Sequence, residues 1–157
     1  MRATMPGGDD FRSGAIMRYT ATVSIDAAPQ RVWDVLSAVE SWPAWTPTVT
    51  AARRLDEGPL RVGSRTELRQ PRQPSRVWTV TELAPGEFFD WTSGTPGLRL
   101  TAGHRLRPDG DGTVVTLDFA VRGALALLIR PVAGVIRDFV DTEARSLKTH
   151  CERHPRS

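Results

Sequence analysis

Hydrophobic and polar residues alternate from Tyr19 onward. Ala21, Val23 and Ile25 fall on one face, and Thr20, Thr22, Ser24 and Asp26 on the other, which is the period of a strand buried on one side. Ala27-Ala28-Pro29 ends the run. Pro29 suits the first turn of a helix, where its missing N–H would have no partner anyway. Val32, Trp33, Val35, Leu36 and Val39 then recur at helical spacing. The stretch from Glu40 to Pro47 holds two prolines and two tryptophans. That density predicts a short helical turn and a corner anchored by indoles, and excludes a long helix.

Between Thr48 and Val121 the pattern changes to short strands and tight turns. Gly58-Pro59, Gln70 to Pro74, Pro85-Gly86, Pro96-Gly97 and Asp109-Gly110-Asp111-Gly112 punctuate β-favouring runs such as Val77 to Thr81 and Thr113 to Leu117. The even spacing predicts an antiparallel meander of about six strands. Asp109 to Gly112 is its clearest hairpin, because Asp and Gly tolerate positive φ. After Gly123 the period lengthens to that of a helix and holds to Arg153. Pro131 falls inside it, so a kink or break is expected there, preceded by the apolar lead-in Leu125 to Ile129. One strand, two short helices, a meander and a long C-terminal helix make an α+β plan, in which a curved sheet of about seven strands grips the last helix.

Residues 1–16 have no period and contain Pro6-Gly7-Gly8, so a disordered tail is expected before a single domain over residues 17–154. The length of 157 residues fits one core, large enough to fold without a disulfide or metal. The single cysteine, Cys151, allows no intrachain disulfide and fits a reducing, cytoplasmic setting. Residues 1–17 include Asp9 and Asp10 and lack an apolar run, so no signal peptide is read there. The most apolar stretch, Ala124 to Ile136, is broken by Arg130 and Pro131 and is too short to span a bilayer.

Of the 21 basic residues only Lys148 is lysine, and the formal net charge is +3. Arginine enrichment can signal phosphate binding. Here the arginines are scattered, with Arg53-Arg54 the only adjacent pair, whereas nucleic-acid binding needs a clustered patch. No nucleic-acid partner is expected. His150-Cys151-x-x-His154 offers an i, i+4 histidine pair, but in a charged terminal turn before Pro155 it reads as a solvated helix end, and no metal is expected. There is no G-x-S-x-G elbow, Cys151 reads as a packing residue, and no Gly-Lys-Ser/Thr follows the Gly110-Asp111-Gly112 turn. Neither nucleophilic nor nucleotide chemistry is supported, and no cofactor is implied.

Met17 to Trp45, with Val23-x-Ile25-x-Ala27-x-Pro29-x-x-Val32-Trp33 followed by Trp42-Pro43-x-Trp45, resembles the opening of the START-like, polyketide cyclase/dehydrase (SRPBCC) superfamily. Leu55, Gly63, Trp78 to Glu82, Pro85-Gly86, Trp91, His104-Arg105-Leu106 and Gly112-Thr113-x-Val115-Thr116 are similar to the rest. The resemblance implies a helix-grip fold enclosing an apolar cavity between sheet and last helix. It also implies binding of lipids, sterols, polyketides or hormones, with cyclisation or dehydration in some members. The superfamily has no shared catalytic triad, so no residue inherits a role by matching.

If such a cavity exists, the alternation predicts its lining. Leu98, Leu100, Ala102, His104 and Leu106 share one face of their strand, as do Val115, Leu117, Phe119 and Val121 of the last one. Trp45, Trp78 and Trp91 are candidate wall residues, since indoles offer broad flat surfaces with one donor. Trp33 and Trp42 read as core and corner packing. At about 100° per residue, Leu125, Val132, Ile136 and Leu147 fall on one arc of the C-terminal helix, with Glu143 in its middle and Phe139 and Val140 beside it. Asp141, Arg145 and Lys148 fall on the opposite, solvated side. A carboxylate on the sheet-facing stripe must find a partner, such as Arg65, or be protonated. Alternatively, Glu143 reaches the cavity near His104. His104 is either a core histidine bonded to a carbonyl or a polar anchor and acid/base group.

The expected ligand-binding set is therefore Trp45, Trp78, Trp91, Leu100, Leu117, Phe119, Ile136 and Phe139, with His104 and Glu143 as candidate catalytic residues. Three functions compete. The first is binding or carriage of a small hydrophobic molecule by a monomer or homodimer without stable membrane insertion. The second is an aromatase/cyclase or dehydratase-type enzyme using His104 and Glu143. The third is an interaction module that uses Leu125 to Ile129 against a partner protein or membrane surface, where the other readings pack that segment across the cavity mouth.

Overall fold

A computed structural model of the protein describes residues 17–153. The expected tail over residues 1–16, and His154 of the terminal histidine pair, lie outside the described residues. Strand β1 (Met17–Ile25) leads through Ala27-Ala28 into helix α1 (Pro29–Ser37), with Pro29 in its first turn as expected. A 3-10 helix (Val39–Ala44) makes the corner. It is pinned by the buried Trp42 indole, whose Nε1–H donates to the Leu36 carbonyl at 3.0 Å.

Strands β2 (Ala51–Arg54), β3 (Arg65–Arg69), β4 (Arg76–Ala84), β5 (Phe88–Thr95), β6 (Leu98–Asp109) and β7 (Gly112–Arg122) form the meander. All pairs are antiparallel, and β1 closes on β7, giving the order β1-β7-β6-β5-β4-β3-β2. Asp109 pairs with Gly112, so β6 and β7 join through a two-residue turn with Gly110 at φ 59°. Between β4 and β5 the register shifts, with Val80 opposite Trp91 but Glu82 opposite Asp90. Thr81 is the extra residue of this bulge. It keeps Val80 and Leu83 in step with the inward-facing Trp91 and Phe89 across the pair.

A second 3-10 helix (Ala124–Val132) precedes helix α2 (Ala133–Arg153). Pro131 thus ends one helix type just before the next begins, and the break replaces a kink. Gly123 at φ 112° lets this junction press on the β5–β6 turn: a Cβ there would stand 2.3 Å from the Gly97 carbonyl oxygen. The Leu125 N–H donates to that same carbonyl at 2.9 Å.

Helix α2 lies across the inner face of the sheet and buries Val140, Ala144, Leu147 and Cys151. Its polar side is tied to β1. The Tyr19 hydroxyl donates to Asp141 at 2.6 Å, and Lys148 Nζ donates to the Ser24 carbonyl at 2.7 Å. Asp141 is therefore engaged with the sheet, where full solvation was expected. The single arc drawn from Leu125 to Leu147 also needs correction. The regular helix begins only at Ala133, and the change of helix type upstream leaves Leu125 and Val132 each 45% exposed, Val132 at the edge of the space beneath the helix, while Ala126 is fully buried. The lead-in is likewise split: Leu127 and Leu128 are exposed, and Ile129 packs against the core.

Candidate functional site

The space between the inner face of the sheet and helix α2 is a cavity of about 490 Å³, within the range of sites that take small organic molecules. Strand alternation supplies one wall. Trp78 from β4, Trp91 from β5, Leu100 and His104 from β6, and Leu117 and Phe119 from β7 all line it. Ile136, Phe139 and Glu143 of α2 close the other side.

The structure thus brings together nine of the ten residues singled out in the sequence. The exception is Trp45, which does not line the cavity. It is buried at the corner, packing against Trp42 with ring centroids 5.7 Å apart and stacking on His150 at 6.4 Å. Trp42 takes its place in the wall. The proline-rich corner turns the neighbouring indole inward, and periodicity cannot be read through a 3-10 turn.

His104 sits inside an aromatic box. Phe89 stacks on it at 4.2 Å, and Trp42 and Trp91 approach at 5.6 and 5.7 Å. Its Nδ1 lies 3.1 Å from the Phe89 carbonyl oxygen. A carbonyl only accepts, so Nδ1 carries the proton and Nε2 keeps its lone pair. Burial lowers the His104 pKa to about 4, against the opposing pull of that carbonyl, and the imidazole is neutral near pH 7. Nε2 points at Glu143, with Oε1 at 3.8 Å. Burial alone raises Glu143 to about 7. Arg65, considered as its partner, is exposed and belongs to another cluster, where its backbone N–H donates to Asp56 at 3.3 Å. Among the described residues, the neutral imidazole is the one titratable group within ion-pair distance of Glu143.

The pair can therefore hold a proton on the carboxyl and an unprotonated lone pair on the imidazole, close together in an apolar box. Away from this site, Cys151 is buried and its thiol is pushed up to about 11, which suits packing and not nucleophilic attack. Among the described residues no group of three or more His, Cys, Asp or Glu side chains could hold a metal ion, and no helix is long and apolar enough to cross a membrane.

The sequence from residue 17 to 152 matches the family model described as polyketide cyclase / dehydrase and lipid transport. The chain belongs to this family. No curated protein matches the sequence. Among solved structures, a hypothetical protein from Helicobacter pylori superposes with a TM-score of 0.78 at 11% identity, covering 96% of this chain and 97% of that one. A START superfamily protein from Mycobacterium smegmatis gives 0.69 at 18% identity, over 87% and 97% of the two chains. Ara h 8.0201 gives 0.68 at 10% identity, over 85% and 96%. At these identities the likeness is one of fold: a curved antiparallel sheet gripping a long C-terminal helix.

Sequence reasoning missed the polar rim. Gln70, Arg72, Gln73 and Arg76, from the β3–β4 loop and the start of β4, also line the cavity. Arg76 had a legible signal, because it is in phase with Trp78 and Val80 on the inner face of β4.

Proposed function

We propose that this protein binds a small, largely apolar molecule in the cavity beneath α2, with His104 and Glu143 as its polar end. The observation that carries this reading is a roomy aromatic and aliphatic enclosure holding one carboxyl and imidazole 3.8 Å apart, with no charged partner for the carboxyl. A core that only needed filling would gain nothing from an acid whose ionisation is penalised by burial. The family description, which names lipid transport alongside cyclisation and dehydration, supports the same class of occupant. Native mass spectrometry of the purified protein tests for a retained lipid-like mass. Titration with an apolar dye, read by quenching of Trp78 and Trp91 emission, measures the affinity. Glu143→Gln preserves shape and removes the acid; dye or lipid affinity is expected to fall about tenfold with the fold intact. Unchanged affinity in that variant would remove Glu143 from the site.

A second reading, a dehydratase or cyclase, is favoured by the opposite protonation of the two groups. The His104 Nε2 lone pair takes a proton from carbon while the Glu143 carboxyl protonates the departing hydroxyl. Water leaves, a double bond forms, and the proton returns from imidazolium to carboxylate. Incubation with a β-hydroxy ketone separates the readings: loss of water supports the enzyme, and an unchanged mass supports the carrier.

A further inference from the structure

The cavity is chemically lopsided, and the side opposite Glu143 carries the information. On the inner face of β4 the row runs Arg76, Trp78, Val80, and the position paired with Arg76 is Leu68, buried and itself in the cavity wall. An arginine thus occupies a position where the pattern demands an apolar side chain. Arg76 Nε and Trp78 Nε1 are both buried and have no hydrogen-bond partner. Two unpaired donors two residues apart in one row are costly unless an acceptor from outside meets them. Arg72, exposed at the rim, holds φ 65° in the loop before β4, a conformation that costs a non-glycine residue free energy.

Neither arginine has a carboxylate within ion-pair distance among the described residues, whereas Arg18, Arg53, Arg54, Arg61 and Arg105 each do. Across the opening, the helical side presents Ile129, Val132 and Ile136. The rim is therefore cationic on the sheet side and alkyl on the helix side. The far end holds a carboxyl and a neutral imidazole, and offers an anion no positive charge.

We infer that the occupant is an amphiphile with an anionic oxygen headgroup, received at the rim by Arg76 and Arg72, its chain running inward past Trp78 and Trp91 toward His104. This rests on the reading of the cavity as a binding site and adds the charge and direction of the ligand. Arg76 would supply a charge-assisted hydrogen bond through Nε, and Trp78 Nε1 a second donor beside it.

The test compares three probes sharing one chain: dodecanoate, dodecyl phosphate and methyl dodecanoate, titrated at pH 7.5 and read by tryptophan quenching. The intact protein is expected to bind at least one of the two anions about tenfold more tightly than the ester. Which anion binds better tells a carboxylate from a phosphate headgroup. Arg76→Met keeps an unbranched apolar stem and removes the charge and donors; it is expected to abolish that preference by lowering anion affinity far more than ester affinity. Arg72→Gln, at an exposed position where folding is not at stake, is expected to reduce the preference by a smaller factor. Equal binding of all three probes by the intact protein overturns the inference and leaves the binding site standing, as does an equal loss for anions and ester in both variants. Failure of every probe to bind would overturn the binding reading itself.

Discussion

Three carboxylates flank the same stretch of sheet, one over its inner face and two on its outer face, and they are handled differently. On the inner face, His104 of β6 is flanked across the strands by Phe89 and Leu117, and Glu143 hangs above it from α2. One residue earlier the parity flips, and Gly103 lies between Asp90 and Asp118 on the outer face. The strands carrying Gly103 and Asp118 border the cavity too, but these side chains alternate away from it. Asp118 receives Arg18 at 3.1 Å and the Thr20 hydroxyl, and Asp90 receives Arg105 at 3.3 Å. Burial still raises Asp90 to about 6, offset by Arg105 and reinforced by Glu82 and Asp118. Glu143, with no arginine or lysine in ion-pair distance among the described residues, rises further. The chain thus surrounds its scaffold acids with its own arginines, and leaves one acid beside a neutral ring. Burial of a carboxylate is therefore not what marks the candidate site. The missing counter-charge is.

The largest effect that would break this comparison is on stability against pH. Between about pH 4.5 and 7 the folded protein holds a proton on Glu143 that the unfolded chain has released. Stability from this group is therefore full below 4.5 and is lost as pH rises through 7. Glu143→Gln removes that loss. Denaturant unfolding is expected to show the variant more stable than the parent above pH 7, by on the order of 3 kcal/mol, with the difference vanishing below pH 4.5. His104 acts with the opposite sign: its lowered pKa gives stability that is full above 6.5 and is lost as pH falls through about 4. Without Glu143, the His104 slope is opposed only by that of Asp90, so the variant is also expected to show a flatter profile over that window.

Asp90→Asn makes the matching change on the outer face. Asp90 is also raised, so its ionisation costs stability as pH rises from 3.8 through about 6, and the variant is expected to flatten the unfolding profile there. Dye affinity should not move. A drop in affinity would mean that the two faces are coupled and the contrast between them false.

The smallest effect concerns Gly103. A Cβ there would stand 2.9 Å from Asp90 Oδ1 and 3.5 Å from Asp118 Cβ. Gly103→Ala should cost about 1 kcal/mol by crowding, measurable as a lower melting temperature. Combining it with Asp90→Ser should recover most of that cost, since the two sites share one space.

How much of this was legible in the sequence depended on where a single period ruled. Strand alternation placed Trp78, Leu100, His104, Leu117 and Phe119 on one wall, because each lies in an unbroken strand. The bulge at Thr81 was not visible, since an extra residue leaves composition unchanged. Trp45 and Trp42 exchanged roles in a 3-10 corner where neither period applies. Leu125 was misplaced for the same reason, a helical phase carried across Pro131 into a segment of different pitch. Glu143 was found because it lies within the regular part of α2. The acids opposite Gly103 went unnoticed, because a polar residue on an outward position looks solvated until its register neighbours are known.

Cys151 gives the fold a built-in clock. Its thiol is fully buried near the end of α2, so an alkylating reagent reaches it only when that helix lifts from the sheet. The labelling rate then counts how often the grip opens, without any probe attached. A molecule seated between helix and sheet would slow that count in proportion to its affinity.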